Sequence, residues 1–243
     1  MDIFQTAILA FIQGLTEFLP VSSSAHLVIF PKFFDWPDQG LAFDVVLHFA
    51  SLCAVIIYYR DSIAKLSQDF FSSISTRRIQ GDSLLAWGVL LGTIPVGLSG
   101  LFFNDFVEMN LRNFKVIAYA TIFFGIALGL SDMFNKSRGL SREVIRSSDI
   151  IIVGCFQALA LIPGTSRAGI TITAALLIGL SRKLSIKFAF LLSIPVITLA
   201  TIMKLFELSN ESQQVDWLFL ALGFAITFLT SYFTIVFFIK LVE

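Results

Sequence analysis

Long windows without a charged residue organise this sequence. Only 14% of its 243 residues are charged, against about 25% in a soluble domain, so much of its apolar surface must face lipid. Five windows are long enough to cross about 30 Å of hydrocarbon as helices, or end in charges that can reach the interface. These windows are Val45–Tyr59, Ser83–Asn104, Val116–Ser131, Phe188–Met203 and Leu218–Ile239. The sequence therefore predicts an all-α integral membrane protein, with a single membrane domain over residues 1–243.

Four further apolar windows are too short to cross. They form two pairs, Ile3–Thr16 with Phe18–Pro31 and Ile150–Ser166 with Ala168–Ser181; at 1.5 Å per residue, a 14-residue helix spans only about 21 Å. Each pair has proline, small and hydroxyl residues at its waist. A non-helical waist at membrane depth needs protein or a polar cavity to satisfy its backbone. We therefore expect two re-entrant helical hairpins that meet near the midplane.

The two waists resemble each other. Aligning Pro20 with Pro163 pairs Ser22 with Thr165, which indicates a first repeat over residues 1–131 and a second, shorter one over 149–243. Basic residues concentrate in the connections 60–82 and 132–149 and after the second hairpin, and the positive-inside rule places such loops in the cytoplasm. Counting spans then gives the two repeats opposite orientations, as in many transport-type folds.

The formal net charge is zero, so no global attraction to nucleic acid is expected. Cys53 and Cys155 lie in apolar stretches and are predicted to be buried thiols without a disulfide.

Glu17 lies between two apolar runs, one helical turn after Gln13. The i,i+4 spacing puts this carboxylate and amide on one helical face. A carboxylate within a bilayer is costly and usually marks a functional site, although a Glu that is paired inside the protein or reaches the interface would also fit.

Hydroxyls crowd the first waist, at Ser22, Ser23 and Ser24, and His26 follows. Ser23 is three residues before His26, so the pair can supply a nucleophile with its base, or an acid for a leaving oxygen. The alternative is a serine cluster that caps a half-helix, with a histidine in the core. For His48, which lies within a predicted span, packing is the favoured role.

The second waist combines Gly164, Thr165, Ser166 and Arg167. Glycine allows a tight turn, a helix N-terminus attracts anions, and the guanidinium offers a bidentate fork to phosphate. Arg167 can also pair with Glu17, and the two roles can coexist if the ion pair lasts until the substrate arrives.

Together the waists supply an acid, an imidazole, a guanidinium and several hydroxyls. That set suits phosphoryl transfer to water, in which catalysis is mostly positioning and charge stabilisation. Glu17 can also hold a hard divalent cation that bridges phosphate oxygens. Two other classes stay open at this point: a transporter or flippase for an anionic lipid, which inverted repeats and broken helices equally support, and a membrane scaffold without catalysis.

Two segments resemble the signatures of the undecaprenyl-diphosphate phosphatase (bacitracin-resistance) family. Residues 13–26, QGLTEFLPVSSSAH, are similar to its (E/Q)xxxE and PVSS[ST]xH patterns, and residues 163–171, PGTSRAGIT, to PGxSRSxxT. The stretches FDVVLH (residues 43–48) and GTIPV (residues 92–96) also look familial. The similarity extends over nearly the whole chain.

This resemblance implies a multi-pass enzyme of the bacterial plasma membrane. It would remove the terminal phosphate of undecaprenyl diphosphate, and so recycle the lipid carrier for cell-wall polymers. The resemblance also implies a divalent cation, Mg²⁺ or Ca²⁺, an active site that opens to the outer, periplasmic face, and often a homodimer. By position, the implied catalytic residues are Glu17, Ser23, His26 and Arg167, with Glu17 also as metal ligand. The implied substrate-binding residues are Gln13, Ser22, Ser24, Gly164, Thr165, Ser166 and Thr171.

The chain departs from the family pattern in three places. Gln13 occupies a position often held by Glu, and Ala168 replaces the second serine of PGxSRS. The family pattern also implies one more C-terminal helix than the residues up to Glu243 provide.

Overall fold

A computed structural model describes residues 1–139, 141–209 and 216–242. Throughout these residues the regular structure is helical, apart from one isolated bridge between Arg142 and Leu180. The helices are α1 Ile3–Thr16, α2 Ser23–Phe33, α3 Leu41–Tyr58, α4 Arg60–Thr76, α5 Ser83–Leu91, α6 Ile94–Asn110, α7 Phe114–Ser137, α8 Ser147–Ala158, α9 Arg167–Leu177, α10 Arg182–Ser209 and α11 Trp217–Val242. A short 3-10 turn, Leu159–Leu161, follows α8.

The five predicted spans are confirmed. Five helical segments are long and apolar enough to cross a membrane: Leu41–Tyr58, Ser83–Val107, Phe114–Ser137, Arg182–Leu208 and Trp217–Val242. All five are longer than the charge-free windows, because their helices continue through flanking residues. Large apolar side chains lie on the outside of the bundle, among them Phe102 and Met109, each 78% exposed. An apolar exterior of this kind fits a lipid solvent, and the fold is that of an all-α membrane protein.

Helix α4 was not predicted. The sequence indicated only a basic loop over residues 60–82, but Arg60–Thr76 forms a helix. Its composition is polar, so no apolar window marks it. The helix packs beside α5, and the Trp87 indole N–H donates to the Ser73 hydroxyl over 3.0 Å. The basic segment before the second span is thereby held against α5 as a helix.

The second span is broken, although its window predicted one continuous helix. Helix α5 ends at Leu91 and α6 begins at Ile94, with Pro95 in its first turn. Proline lacks the N–H that would continue the ladder. The break interrupts the helical ladder at Gly92. The side-chain amide of Gln157, which is completely buried, donates to the Gly92 carbonyl over 3.1 Å. The second hairpin therefore satisfies the backbone of the break.

Two hairpins of short helices, α1–α2 and α8–α9, pack against the long helices. The first half-helix of each packs closely against a span through glycine. In α1, a Cβ on Gly14 would stand 2.7 Å from Thr230 of α11, and in α8 a Cβ on Gly154 would stand 2.9 Å from the Gly92 carbonyl. This parallel fits the predicted repeats, while their boundaries and opposite orientations in a membrane stay predictions.

The core lies around α9 and α10. Phe18, at the first waist, is fully buried, and its ring stacks edge-on against Phe190 of α10 at 5.2 Å. This contact fixes the waist immediately beside Glu17. Both cysteines are free, as predicted. The prediction that both are buried is wrong, since Cys53 is half-buried and Cys155 is exposed on the surface of α8.

Candidate active site

Glu17 is the centre of the site. It caps the C-terminal end of α1, and its side chain is only 5% exposed. Its Oε2 accepts from the Gln13 amide at 2.9 Å and from the Ser23 hydroxyl at 2.6 Å, while Oε1 accepts from Arg167 Nη2 at 2.8 Å. A buried carboxylate needs such donors, since an unpaired charge would be strongly disfavoured. The predicted Gln13–Glu17 pair and the predicted contact between the two waists are therefore both present.

Ser23 reaches Glu17 because the chain reverses at the first waist. Pro20 interrupts the helix, and Ser22 has φ +61°, a left-handed conformation that is uncommon for residues other than glycine. Helix α2 then begins at Ser23 and directs its hydroxyl back to the end of α1. The backbone of Ser22 thus places Ser23 at the carboxylate.

Arg167 is positioned by the second waist. It opens α9, which Ser166 caps by accepting from the Gly169 N–H at 3.1 Å. The same Ser166 hydroxyl donates to the Leu19 carbonyl at 3.3 Å, joining the two waists directly. Gly164 has φ +95°, and a Cβ there would collide with the Ile117 carbonyl of α7. Only glycine fits, and the turn aims the arginine at Glu17.

His48 is a site residue that the sequence did not identify, since packing was its favoured role. Its Nδ1 lies 3.0 Å from the Gln13 amide nitrogen and 3.3 Å from Glu17 Oε2. A signal did exist. Asp44, His48 and Ser51 follow i, i+4, i+7 spacing along one face of an apolar helix, and polar residues inside a span usually mark a site.

His26 takes a different place from the one its spacing suggested. Its Nδ1 lies 2.8 Å from the Ser22 carbonyl oxygen; a carbonyl only accepts, so Nδ1 carries the hydrogen and Nε2 is the acceptor of the neutral ring. The Ser23 hydroxyl donates to Glu17 rather than to His26, and His26 is not among the residues that line the cavity. A catalytic role for His26 stays a prediction.

A cavity of about 410 Å³ opens onto the Glu17 centre. Besides Glu17 and His48, it is lined by most of the polar residues predicted at the two waists, namely Ser22, Ser23, Ser24, Thr165, Ser166 and Arg167. Thr165 is 3% exposed, and its hydroxyl has no hydrogen-bond partner within the described residues. A buried hydroxyl without a partner is costly, so it is well placed to bind a ligand in the cavity.

The remaining predicted residues do not line the cavity but contact residues that do. Gln13 is completely buried and contacts Glu17 and His48. The Thr171 hydroxyl donates within α9, to the Arg167 carbonyl at 2.8 Å, and Thr171 does not line the cavity. The Gly164 carbonyl accepts from the Thr121 hydroxyl at 3.1 Å. These three residues are placed to shape the site rather than to touch a substrate.

In the part of the chain that the structure describes, no three His, Cys, Asp or Glu side chains cluster as a metal site. Glu17 is nevertheless a hard oxygen ligand beside several hydroxyls. Mg²⁺ is commonly bound by one or two carboxylates together with substrate phosphates rather than by a complete protein cage. The donors present thus fit a cation that arrives with a phosphate ligand.

The fold and site define a polytopic membrane protein with a buried carboxylate, arginine and hydroxyl centre. Residues 6–243 match the model of the family described as bacitracin resistance protein BacA. The chain belongs to this family, as the two signatures indicated.

Similar proteins support this membership along the whole chain. An undecaprenyl-diphosphatase of Vesicomyosocius okutanii is 55% identical over 100% of this chain and 92% of its own length. Undecaprenyl-diphosphatase 2 of Stutzerimonas stutzeri is 49% identical over 100% of this chain and 91% of its own length. An undecaprenyl-diphosphatase of Campylobacter concisus is 47% identical, again over 100% and 91%.

Proposed function

We propose that this chain hydrolyses undecaprenyl diphosphate to undecaprenyl phosphate and inorganic phosphate. The observation that carries the proposal is the meeting of Glu17 with Ser23 and Arg167 at one buried centre, over 2.6 and 2.8 Å. A carboxylate that accepts from a hydroxyl is the arrangement of a base with its nucleophile. The relatives carry the name of a hydrolase, which favours hydrolysis over the transporter and scaffold alternatives.

Ser23 is the proposed nucleophile, with Glu17 as its base. Its Oγ forms a bond to the terminal phosphorus as its proton passes to Glu17 Oε2, and the bond from that phosphorus to the bridging oxygen breaks. The leaving group is undecaprenyl phosphate, which takes the electron pair. In the second step the oxygen of a water molecule bonds to phosphorus and the bond from phosphorus to Ser23 Oγ breaks. Oγ takes back the proton held by Glu17, Glu17 takes a proton from the water, and inorganic phosphate is released. In the alternative, Ser23 and Glu17 orient a water molecule that attacks directly.

Arg167 has two successive partners in this scheme. Before the substrate arrives, its Nη2 donates to Glu17 over 2.8 Å. A phosphate group provides a bidentate partner for the planar guanidinium, so the arginine moves from Glu17 onto the terminal phosphate. Glu17 is then available to Ser23. The unpartnered Thr165 hydroxyl supplies a further donor to the phosphate oxygens.

A divalent cation, Mg²⁺ or Ca²⁺, is part of the proposal, with Glu17 as its protein ligand. Glu17 would hold this cation, which when bound would supply neutralisation of charge on the phosphate oxygens. We also propose that the cavity opens toward the periplasmic side of the bacterial plasma membrane, because the connections rich in Lys and Arg lie at the other ends of the spans. A homodimer is proposed from the family resemblance alone.

The test is inorganic phosphate release from undecaprenyl diphosphate by the purified chain in detergent. We expect release with Mg²⁺ or Ca²⁺, little with chelator, and a loss of at least about 100-fold in Arg167→Ala, since removing one stabilising donor costs that much. An exposed arginine elsewhere provides the control: Arg182→Ala removes an ion pair with Asp132 and should retain turnover. A folded wild-type chain that releases no phosphate would overturn the proposal.

A further inference from the structure

The cavity extends well beyond the Glu17 centre. Along α10 its lining residues are Val196, Ile197, Ala200, Thr201 and Lys204. The last four have the i, i+3, i+4, i+7 spacing of one helical face. From Ile197 to Lys204 the helix rises about 10 Å. The cavity therefore runs along this face toward the C-terminal end of α10, which we call the mouth.

The mouth is basic. Lys204 lines it from α10, and Arg112 lines it from the segment just after α6. The cavity lining includes three cations, with Arg167 at the inner end, against the carboxylates of Glu17 and Asp44. Glu17 pairs with Arg167, and Lys204 pairs with Glu207, which does not line the cavity. The lining itself therefore carries one more cation than carboxylate.

Hydroxyls without a partner connect the inner end to the mouth. Among the described residues, Thr165 and Thr201 both have buried hydroxyl oxygens without a hydrogen-bond partner, and both line this cavity. Thr201 lies three residues before Lys204, on the same face of α10. A series of donors thus leads from Arg167 through Thr165 and Thr201 to Lys204 and Arg112.

A structural explanation accounts for only part of this series. Lysine and arginine near a helix C-terminus stabilise its dipole, and Lys204 pairs with Glu207 at 2.8 Å with its side chain 30% exposed. The helix dipole and the ion pair do not require these cations to face the cavity, and they give the Thr201 hydroxyl no hydrogen-bond partner. A phosphate group in the cavity accounts for both the cations and the hydroxyl, because its oxygens accept from hydroxyls and from cationic donors.

We propose that Thr201, Lys204 and Arg112 form a second phosphate-binding site at the mouth, with Thr201 about 6 Å and Lys204 about 10 Å along α10 from Ile197. The site rests on the proposed function only for the origin of its ligand. That ligand is a phosphate group, either inorganic phosphate leaving after hydrolysis or the head group of the lipid diphosphate on its way in.

The experiment measures inorganic phosphate binding by calorimetry, with the purified full chain in detergent and no lipid substrate. Arg112→Gln combined with Lys204→Gln should weaken binding at least about tenfold, since two charge-assisted hydrogen bonds are lost. Lys115→Gln is the matched control: Lys115 is a nearby exposed cation that does not line the cavity, and its loss should leave binding unchanged. Arg167→Ala should retain mouth binding within about threefold, whether or not the chain hydrolyses lipid.

Steady-state kinetics on undecaprenyl diphosphate separate the two origins. If the mouth holds released phosphate, the double variant resists inhibition by added phosphate about tenfold more, with KM unchanged. If it holds the incoming head group, KM rises about tenfold instead. Phosphate binding by the double variant in the Arg167→Ala background as tight as that of Arg167→Ala alone would overturn the second site, independently of any result for hydrolysis.

Discussion

At the residue scale, the site is built from four polar groups around one buried carboxylate. Glu17 accepts from an amide, a hydroxyl and a guanidinium, and an imidazole lies 3.3 Å away. Gln13 lies on α1, which Glu17 caps, whereas Ser23, His48 and Arg167 come from three other helices. Changing one of these three therefore leaves the sequence of α1 unchanged.

Replacing Arg167 by lysine should be far from conservative. The ammonium is a point charge and cannot offer two parallel donors to a phosphate. We expect kcat/KM for phosphate release to fall at least about 100-fold, although the charge is retained. Arg182→Lys, at an exposed ion pair with Asp132, is the control. A value of kcat/KM in Arg167→Lys close to that of the control would argue against bidentate binding of phosphate by Arg167.

Alanine substitutions of the two serines Ser23 and Ser24 should differ in their effect on kcat. Only the Ser23 hydroxyl donates to Glu17, whereas Ser24 is exposed and its hydroxyl contacts that of Ser22 at 3.4 Å. Ser23→Ala should lower kcat by at least about 1,000-fold if the serine is the nucleophile, and Ser24→Ala by less than about tenfold. Rapid-quench measurement of inorganic phosphate release gives both values. Equal effects of the two substitutions would remove the special role of Ser23.

The two histidines allow a test of what spacing can and cannot predict. Because His48 contacts Gln13 and Glu17 and lines the cavity, His48→Ala should lower kcat about tenfold or more. His26→Ala is the matched comparison, measured in the same assay. A larger loss in His26→Ala would mean that its Nε2 reaches the substrate and that the sequence placed the catalytic imidazole correctly.

At the element scale, the spans could be predicted but their interruptions could not. A charge-free window indicates a helix that can cross a bilayer, and all five predicted windows lie in such helices. The same window over residues 83–104 hides the break at Gly92, whose carbonyl is satisfied by Gln157 from a distant helix. Helix α4 lacks an apolar window, and its sequence signal is instead the helical spacing of Ile63, Leu66, Phe70 and Ile74.

Local spacing predicted one contact within a helix and was wrong about another at the first turn of a helix. Gln13 and Glu17 form the expected i,i+4 pair. Ser23 and His26 do not pair, because the left-handed backbone of Ser22 turns the Ser23 hydroxyl toward α1 and the Ser22 carbonyl takes the imidazole. A serine gives no indication of positive φ, so this geometry could not be derived from the sequence.

The second waist should tolerate no side chain at Gly164. Its φ of +95° and the collision of a Cβ with Ile117 make Gly164→Ala strained, at about 1–3 kcal/mol. The melting temperature in detergent should fall by at least about 3 °C. Gly125→Ala in α7 is the matched control, since a Cβ there meets nothing within 4 Å and alanine favours the helix. An unchanged melting temperature for Gly164→Ala would show that the turn adapts.

At the scale of the whole molecule, the orientation in the membrane rests on loop charge alone. The connection that contains Arg112 and Lys115 lies on the predicted outer side. It reduces the difference in Lys and Arg content between the loops of the two sides. In a chain with Cys53 and Cys155 replaced by alanine, Asn110→Cys and Ser75→Cys place single thiols at opposite ends of the bundle. A membrane-impermeant thiol reagent should label residue 110 in intact cells and residue 75 only after lysis. The reverse pattern would place the mouth in the cytoplasm.

The proposed hydrolysis depends most directly on Glu17, which acts as the base. The measurement is kcat/KM for inorganic phosphate release from undecaprenyl diphosphate by Glu17→Gln, with Asp61→Asn as control because that carboxylate is 97% exposed. Glutamine keeps the shape but cannot accept the proton. We expect kcat/KM to fall at least about 100-fold in Glu17→Gln and to stay unchanged in Asp61→Asn. A Glu17→Gln chain that is folded and releases phosphate at the wild-type rate would contradict the account.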